Sequence, residues 1–300
     1  MTYQLYRMTF SQTHFGQGSL VEASPLFSSE RLFSALFLEA LKINKQEEWL
    51  QLAQDHQLHL SNGLYYQDEV YLPKPMGYPK NEDRPVLDDA VLQRQNTKQA
   101  RKLNYLSCFD FDEYVQGDIE LVQDLVEQET KLYRQAIYTR KGEDPYRIQV
   151  SAYAADLCVI GTSHPLMEEL MTHLQYTGLG GKRSSGLGRF DLAIEALPQE
   201  FLNRLTTDSN KPVMLLNDAL PVDDQLAEAL KGSAYLLVRS GGYAYSKGQT
   251  PYRKQDLFKF KAGSTFETSF TGSVVDVAPE EFDHPVWNYA CPLFFELEGS

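Results

Sequence analysis

Hydrophobic and polar residues alternate near the start of the chain, where TYQLYRMTF predicts a β-strand over residues 2–10. A loop containing two glycines follows, and the apolar positions are then spaced three and four residues apart. In SSERLFSALFLEALKI these positions form one face, which predicts an amphipathic helix with Ser28 or Ser29 as its N-cap. A second helix is predicted over about residues 45–57, and GLYYQDEVYLPKPMGYPK predicts a strand or hairpin after it.

The same order of elements returns after a polar stretch. Residues 81–146 are charged and weakly patterned, which indicates an insertion. After it, RIQVSAYAADLCVIG predicts one strand, HPLMEELMTHLQYT predicts a helix and GLGRFDLAIEAL predicts another strand. Beyond residue 198, KPVMLLNDAL, PVDDQLAEALK and SAYLLVRSGGYAY predict a further strand, helix and strand. Strand–helix–strand units in pairs are typical of ferredoxin-like folds. We therefore predict an α+β protein with two ferredoxin-like domains, residues 1–198 and a more degenerate one over residues 199–300.

A glycine-rich loop precedes the last strand of the first predicted domain. TGLGGKRSSGLGRF, residues 177–190, holds five glycines, two serines and three basic residues, with no acid. Glycines let a backbone approach a phosphate closely, and the basic side chains supply charge, so the loop predicts polyanion binding; the alternative is an ordinary glycine turn at a helix end. Because it follows a helix and precedes a strand, it does not fit a dinucleotide-binding fingerprint, which has the reverse order.

The composition limits how such a site can be built. The 300 residues carry a net charge of −13, so a general nucleic-acid-coating surface is excluded and any polyanion site must be narrow. The three cysteines form no CxxC pair, and HExxH or other metal-ligand spacing is absent, so we expect no metal and no cofactor. Without a secretion signal at the start or an apolar run long enough for a membrane span, we expect a cytoplasmic protein.

Several segments together resemble one protein superfamily. GLGGKRSSGLGRF, the early THFGQGSLVEASPLFSSERLFSALFLEAL, and YLPKPMGYPK, TRKGEDPYRI and RSGGYAYSKGQTPYRKQDLFKFKAGSTF are similar to the RAMP superfamily of CRISPR proteins. The resemblance is to the subunits that cap the 5′ end of the guide RNA (crRNA) in type III-A (Csm) effector complexes. It implies a non-enzymatic RNA-binding subunit of an antiviral ribonucleoprotein, with two ferredoxin-like domains.

The resemblance also implies partners and site residues. The chain is expected to hold the repeat-derived 5′ tag of the crRNA, to contact the large polymerase-like subunit and a backbone RAMP subunit, and to meet target RNA indirectly. A hairpin thumb, expected at TRKGEDPYR, holds the duplex open at the tag–spacer junction in this family. The expected RNA-binding residues lie at the first-strand exit, the first helix start, the insertion, the thumb, the glycine loop and the last segment: His14, Phe15, Ser28, Arg31, Arg101, Lys102, Arg140, Lys141, Tyr146, Gly178, Gly180, Gly181, Lys182, Arg183, Ser184, Ser185, Gly186, Arg253 and Lys254.

Some of these assignments have structural alternatives. If the insertion is helical here, one face of the helix is basic. That face could follow the RNA or simply be exposed to solvent; its residues are Arg94, Lys98, Arg101 and Lys102. Phe15 is as well suited to a core as to stacking on a base. Tyr252, Arg253, Lys254 and Lys259 fit an ordinary half-exposed strand region equally well.

Two other functions compete with crRNA capping. His14 follows a strand and lies in a glycine-containing loop, so it is a candidate general base for a metal-independent endoribonuclease that processes CRISPR repeats. No second acid, base or nucleophile is identifiable beside it, which favours a hydrogen-bonding role. A purely protein-binding scaffold is the third possibility.

Overall fold

The computed structural model describes residues 2–80, 98–117, 122–141, 145–244 and 250–297, which form a mixed α/β protein with several antiparallel sheets. Among the described residues the largest sheet has six strands, and the first strand of the chain lies second from one edge. In spatial order its strands are β11 (Phe190–Glu195), β1 (Tyr3–Phe10), β10 (Asp156–Thr162), β5 (Leu64–Gln67), β6 (Glu69–Pro73) and β7 (Tyr105–Ser107).

Helices connect β1 to β5 and β10 to β11, which are not neighbouring strands of this sheet, and these helices pack on one of its faces. The predicted first helix is confirmed, with Ser28 as N-cap: its Oγ accepts the N–H of Arg31 at 3.4 Å. The apolar stripe that predicted this helix is buried, as the fully covered Phe33 shows, and each such side chain contributes roughly 1.5–3 kcal/mol. Among the described residues, and apart from the helical residues 98–100, the helices are α1 (Ser29–Lys42), α2 (Gln46–Gln54), α3 (Phe111–Gln116), α4 (Val122–Lys131), α5 (Pro165–Thr177), α6 (Gln199–Arg204) and α7 (Leu226–Ala229).

The chain between β7 and β10 supplies the main hairpin of a second, smaller sheet. A long hairpin of β8 (Tyr133–Arg140) and β9 (Tyr146–Tyr153) is continued by β2 (Gln12–Thr13), while β3 (Phe15–Gly16) pairs with β4 (Ala23–Ser24). The prediction of one strand over RIQVSAYAADLCVIG is wrong. The chain leaves the hairpin at Ala154, whose N–H donates to the carbonyl of Leu132 at 2.9 Å, and enters the large sheet as β10.

The basic stretch of the insertion is helical only in part. Residues 98–100 are helical, and Arg101 and Lys102 lie in the turn that follows, where the N–H of Lys102 donates to the carbonyl of Gln99. The single basic face predicted for a helix therefore does not extend to Arg101 and Lys102, and Arg94 lies outside the described residues.

The C-terminal half consists mostly of short strands. The helix predicted in PVDDQLAEALK is limited to the four residues of α7. A four-stranded sheet has the order β12-β21-β13-β18, and three two-stranded ribbons pair β14 with β17, β15 with β16 and β19 with β20. These strands are β12 (Leu205–Thr206), β13 (Val213–Leu215), β14 (Leu237–Ser240), β15 (Tyr243–Ala244), β16 (Tyr252–Arg253), β17 (Leu257–Phe260), β18 (Thr265–Phe266), β19 (Val274–Asp276), β20 (Trp287–Tyr289) and β21 (Phe294–Glu296).

The two halves of the chain share their hydrophobic core. On the helical side of the large sheet, the ring of Phe33 stacks on Trp49 at 5.6 Å and on Tyr289, from the C-terminal half, at 5.3 Å. A second cluster joins side chains of the large sheet, such as Ile160, with Phe295 of β21. Shared burial of this kind fixes the position of one half against the other. Among the described helices, none has the length and apolar character that a membrane crossing requires.

Candidate nucleic-acid interface

The glycine-rich loop, residues 178–189, lies against the exit of β1. The N–H of Leu179 donates to the carbonyl of Gly188 at 2.8 Å, which closes the loop on itself. Two further backbone bonds attach it to the β1 exit: Gly181 N–H to the His14 carbonyl and Gly188 N–H to the Gln12 carbonyl, both 2.9 Å. The base of the loop is therefore a packed structural element.

Packing explains several of the glycines without reference to a ligand. Gly178, Gly180 and Gly188 all have positive φ angles, between +80° and +98°. A Cβ at Gly180 would lie 2.8 Å from the His14 carbonyl oxygen, and a Cβ at Gly188 would collide with the Leu179 carbonyl. Gly186, at φ +85°, has open space where a Cβ would stand. These glycines serve two roles, close packing at the base and a free turn at the tip.

The tip of the loop presents positive charge and hydroxyls to solvent. Lys182 has a left-handed backbone, and Arg183–Ser185 form a single 3₁₀ turn. Arg183, Ser184 and Ser185 are exposed. Arg183 Nη1 makes a long contact of 3.4 Å with the Gly178 carbonyl, so most of its donors point to solvent. Such a tip can donate to phosphate oxygens.

His14 and Phe15 support this loop from beneath. The His14 side chain is 4% exposed, and its Nδ1 lies 2.8 Å from the Gln149 carbonyl oxygen, which calls for a proton on Nδ1. Its ring is sandwiched between backbone segments, because a Cβ at Gly16 or at Gly181 would be 2.9 Å from ring atoms. Phe15 is fully buried and its ring meets Phe10 edge-on, so in this structure it is a core residue.

The hairpin of β8 and β9 rests on the loop. Leu187 of the loop is buried with Ile148 and Val150 of β9. Beside this contact, the Lys182 Nζ lies 4.3 Å from the centre of the Tyr146 ring, within cation–π range. Two predicted site residues from different segments are thereby brought together. Arg140 and Lys141 lie at the exposed, far end of the same hairpin.

A cleft of about 1540 Å³ lies between the two halves of the chain. Ser28, Arg31, Arg101 and Arg253, which are predicted from three separate segments, all line it. Three further cationic side chains of the lining were not predicted from the sequence. Each lies in an ordinary strand or loop segment that nothing in the local pattern marks as a binding site. They are Lys74, Arg239 and Lys261.

Arg31 connects the cleft to the loop region. Its Nη2 donates to the Gly16 carbonyl at 2.7 Å, and its guanidinium lies 6.0 Å from the Phe15 ring centre. Two N–H groups at the start of α1 are already used, because Ser29 N–H donates to Asn62 Oδ1 and Arg31 N–H to Ser28 Oγ. The Arg31 guanidinium is therefore the charged donor that α1 offers to a ligand in the cleft.

Each acidic group of the cleft is either paired with a cation or has its pKa raised by burial. Glu30 pairs with the buried Lys259 of β17; burial alone would raise the pKa of Glu30, but the charge of Lys259 lowers it below its ordinary value. Burial raises the pKa of Asp218 and that of Glu129. Cationic side chains outnumber acidic ones in the lining of the cleft, which favours an anionic ligand despite the acidity of the whole chain.

Other predicted residues lie away from these two places or are already paired. Lys102 is exposed in the turn after residue 100 and does not line the cleft. Arg253 Nη2 donates to Asp256 Oδ2 at 2.8 Å, and the N–H of Lys254 donates to the Gly242 carbonyl. In the described part of the chain, no cluster of three or more His, Cys, Asp or Glu side chains is arranged to hold a metal ion.

Comparison with known proteins identifies the family. A family model for the CRISPR Csm4 C-terminal domain matches residues 208–297. A Streptococcus thermophilus protein named "CRISPR system Cms protein Csm4" is 42% identical over 99% of this chain and 100% of its own length. A Mycobacterium tuberculosis (strain H37Rv) protein of the same name is 32% identical over 100% of this chain and 99% of its own.

Solved structures show the same fold at low sequence identity. The Csm3-Csm4 subcomplex of the type III-A CRISPR-Cas interference complex holds a chain with a TM-score of 0.62 and 17% identity, covering 97% of this chain and 98% of that one. A Csm1-Csm4 cassette crystallised with AMPPNP holds one with a TM-score of 0.61 and 14% identity, covering 100% and 99%. From the full-length identity to named relatives, we conclude that the chain belongs to the Csm4 family of type III-A CRISPR proteins.

Proposed function

We propose that this chain is a non-catalytic subunit that binds the 5′ tag of the crRNA in a type III-A complex. The observation that carries the proposal is the exposed basic tip, Lys182–Gly186, held on a rigid backbone at the exit of β1. Phosphates bind where charge and hydrogen-bond donors are fixed in advance. The adjacent cleft, lined by Arg31, Arg101 and Arg239, extends this positive surface.

The arrangement of the N-terminal half supports a ferredoxin-like domain. The order β11-β1-β10-β5, with α1 and α5 as connections, is the order expected when two strand–helix–strand units interlock. We propose one such domain over residues 1–198, opened by the insertion, and a degenerate one over residues 199–300.

We further propose that the chain links a large polymerase-like subunit to the backbone RAMP subunit and meets target RNA through them. The similar chains stand in assemblies named Csm1-Csm4 and Csm3-Csm4, which supports both partners. Because the net charge is −13, we expect the RNA contact to be narrow and sensitive to salt.

The first test is to purify the tagged chain from its host and to sequence the RNA that accompanies it. We expect short RNAs that share one 5′ tag, together with other subunits of the complex. Absence of such RNA from an otherwise intact complex would contradict the proposal.

The second test removes the charge of the loop tip. Replacing Lys182 and Arg183 by Ala should weaken binding of that RNA by at least about tenfold and lower the slope of log K against log salt by about one per cation. The control is Lys131→Ala with Lys231→Ala, two exposed lysines outside the site. Unchanged RNA binding with intact subunit assembly would indicate a protein-binding scaffold instead.

Buried His14 does not favour the endoribonuclease alternative. Its Nδ1 is engaged by a carbonyl, and backbone covers its ring on both sides. Incubation of the purified chain with repeat RNA should leave the RNA intact. Metal-independent cleavage that is lost in His14→Ala would show that this alternative is correct.

A further inference from the structure

Three tyrosines from separate strands meet in the cleft. Tyr65 lies on β5, Tyr105 on β7 and Tyr133 at the start of β8, and all three line the cleft. The Tyr105 ring meets Tyr65 edge-on at 5.3 Å, and the Tyr133 ring stacks on Tyr65 nearly in parallel at 5.6 Å. Tyr105 and Tyr133 are both partly exposed, and their rings together cover the buried Tyr65.

The buried hydroxyl of Tyr65 makes no hydrogen bond with the described part of the chain. The residue is 1% exposed, and among the described residues its oxygen finds no hydrogen-bond partner. Other buried tyrosines use their hydroxyls: Tyr6 donates to the Thr162 carbonyl at 3.0 Å and Tyr289 to the Leu58 carbonyl at 2.9 Å. A buried hydroxyl without a partner destabilises a protein, and phenylalanine would pack as well. The hydroxyl therefore points to a ligand.

Polar groups of the cleft surround the three rings. Glu129 accepts the Asn104 N–H at 2.9 Å, and Lys74 Nζ donates to the Ala100 carbonyl at 2.7 Å. Burial raises the pKa of Glu129 and lowers that of Lys74, so both groups stand in a poorly hydrated place. Aromatic walls with a few fixed polar groups are the usual lining of a small-molecule or base pocket.

We propose that this tyrosine pocket, formed by Tyr65, Tyr105 and Tyr133 with Glu129 and Lys74, takes one unpaired nucleobase of the bound RNA. The proposal rests on the RNA-binding function proposed above. A base offers a flat face for stacking and an edge with donors and acceptors, which suits these rings and the free hydroxyl. The phosphates on either side of the base would meet Arg31 and Arg101, which line the same cleft. Tyr133 turns aside to let the base edge reach the Tyr65 hydroxyl.

The test is Tyr65→Phe, which removes only the oxygen. The probe is the RNA recovered with the chain, synthesised with a fluorescent label at its 3′ end, and binding to the full-length chain is measured by anisotropy. We expect affinity to fall about three- to tenfold, the loss of one hydrogen bond, while the melting temperature is equal to or above that of the wild type. If the Tyr65 hydroxyl had a purely structural role, Tyr65→Phe would lower the melting temperature and leave RNA affinity unchanged.

Tyr6→Phe is the matched control, because its hydroxyl is bonded and lies outside the cleft. It should lower the melting temperature and leave RNA affinity unchanged. In a second measurement, abasic nucleotides are placed along the RNA one at a time. One position should weaken binding to the wild type, and should weaken binding to Tyr65→Phe by a smaller factor.

Each outcome decides a separate question. Equal affinity of Tyr65→Phe and wild type, or equal binding of all abasic RNAs, overturns the base pocket but leaves RNA binding in place. Reduced binding of a partner subunit with unchanged RNA affinity would assign the pocket to a protein side chain and overturn the proposal. A wild type that binds no RNA overturns the proposed function and the pocket with it.

Discussion

Gly180 and Gly186 both have positive φ angles in the same loop, but their surroundings differ. A Cβ at Gly180 would lie 2.8 Å from the His14 carbonyl oxygen and 2.9 Å from the Phe15 ring, whereas a Cβ at Gly186 meets nothing within 4 Å. At the residue scale, backbone strain is therefore common to both positions, and steric collision belongs to Gly180 alone.

Substitution by alanine should separate these two effects. Gly186→Ala should lower the free energy of unfolding by about 1 kcal/mol, the strain of a left-handed alanine. Gly180→Ala should lower it by a further 1–3 kcal/mol or so, because the neighbouring backbone must move. Urea unfolding measures both values. Equal losses at the two sites would contradict the packing role of Gly180.

At the scale of elements, the hairpin of β8 and β9 has two attachments of different kinds. Its inner end is paired with β2, where Thr13 lies opposite Ser151. Its outer part rests on the glycine loop through Leu187, packed against Ile148 and Val150, and through the Lys182–Tyr146 contact. The position of the outer part of these two strands therefore depends on the loop.

Leu187→Ala should release the outer part of the hairpin. Removing a buried leucine side chain costs about 2–3 kcal/mol or more, so amide exchange in residues 136–140 and 146–150 should quicken at least tenfold. Exchange in the segment paired with β2, and in β1, should remain slow. Hydrogen exchange with mass spectrometry measures all these segments in one experiment. Uniformly faster exchange would mean that the loop supports the whole fold instead.

At the scale of the whole molecule, the buried pair of Glu30 and Lys259 joins the two halves. Glu30 lies in the first turn of α1, and Lys259, 1% exposed, comes from β17. Asn288 Oδ1 and the Tyr289 carbonyl also accept from the Lys259 ammonium, each at 3.2 Å. Glu30 and Lys259 both line the cleft, so the pair joins the two halves of the chain at this place.

Lys259→Met should change how stability depends on pH. In the wild type the folded pKa of Glu30 is lower than its ordinary value of 4.5. The pair therefore stabilises the fold above about pH 4.5, and this contribution is lost as the pH falls through the folded pKa. The variant should lose about 3 kcal/mol at pH 7 and should lose less than the wild type on acidification to pH 4. Denaturant unfolding at several pH values measures this.

The control for this substitution is Lys231→Met, which removes an exposed ion pair with Glu228. It should leave both the stability and its pH dependence nearly unchanged, because exposed pairs contribute little. A parallel change in Lys259→Met and Lys231→Met would show that net charge, not the buried pair, sets the response to acid.

The local pattern of apolar and polar residues was sufficient to predict those elements whose buried face repeats regularly along the sequence. The stripe of apolar positions and Ser28 determined α1 and its start, and HPLMEELMTHLQYT determined α5, because periodicity records which side of a helix is buried. The loop after α5 was recognisable from its composition, and its place between helix and strand excluded a dinucleotide site. The family was recognisable because segments along almost the whole chain resemble it.

Only the tertiary structure shows which distant residues meet and which strands pair. Lys182 meets Tyr146, and Arg31 shares a cleft with Arg101 and Arg253, only because distant strands become neighbours. The division of RIQVSAYAADLCVIG into two sheets depends on the turn at Ala154, which no periodicity marks. By itself, the sequence determined that a flexible basic loop follows α5. The folded chain decided that most of its glycines serve packing and that the tip alone is free for a ligand, since a steric requirement exists only once the neighbouring backbone is in place.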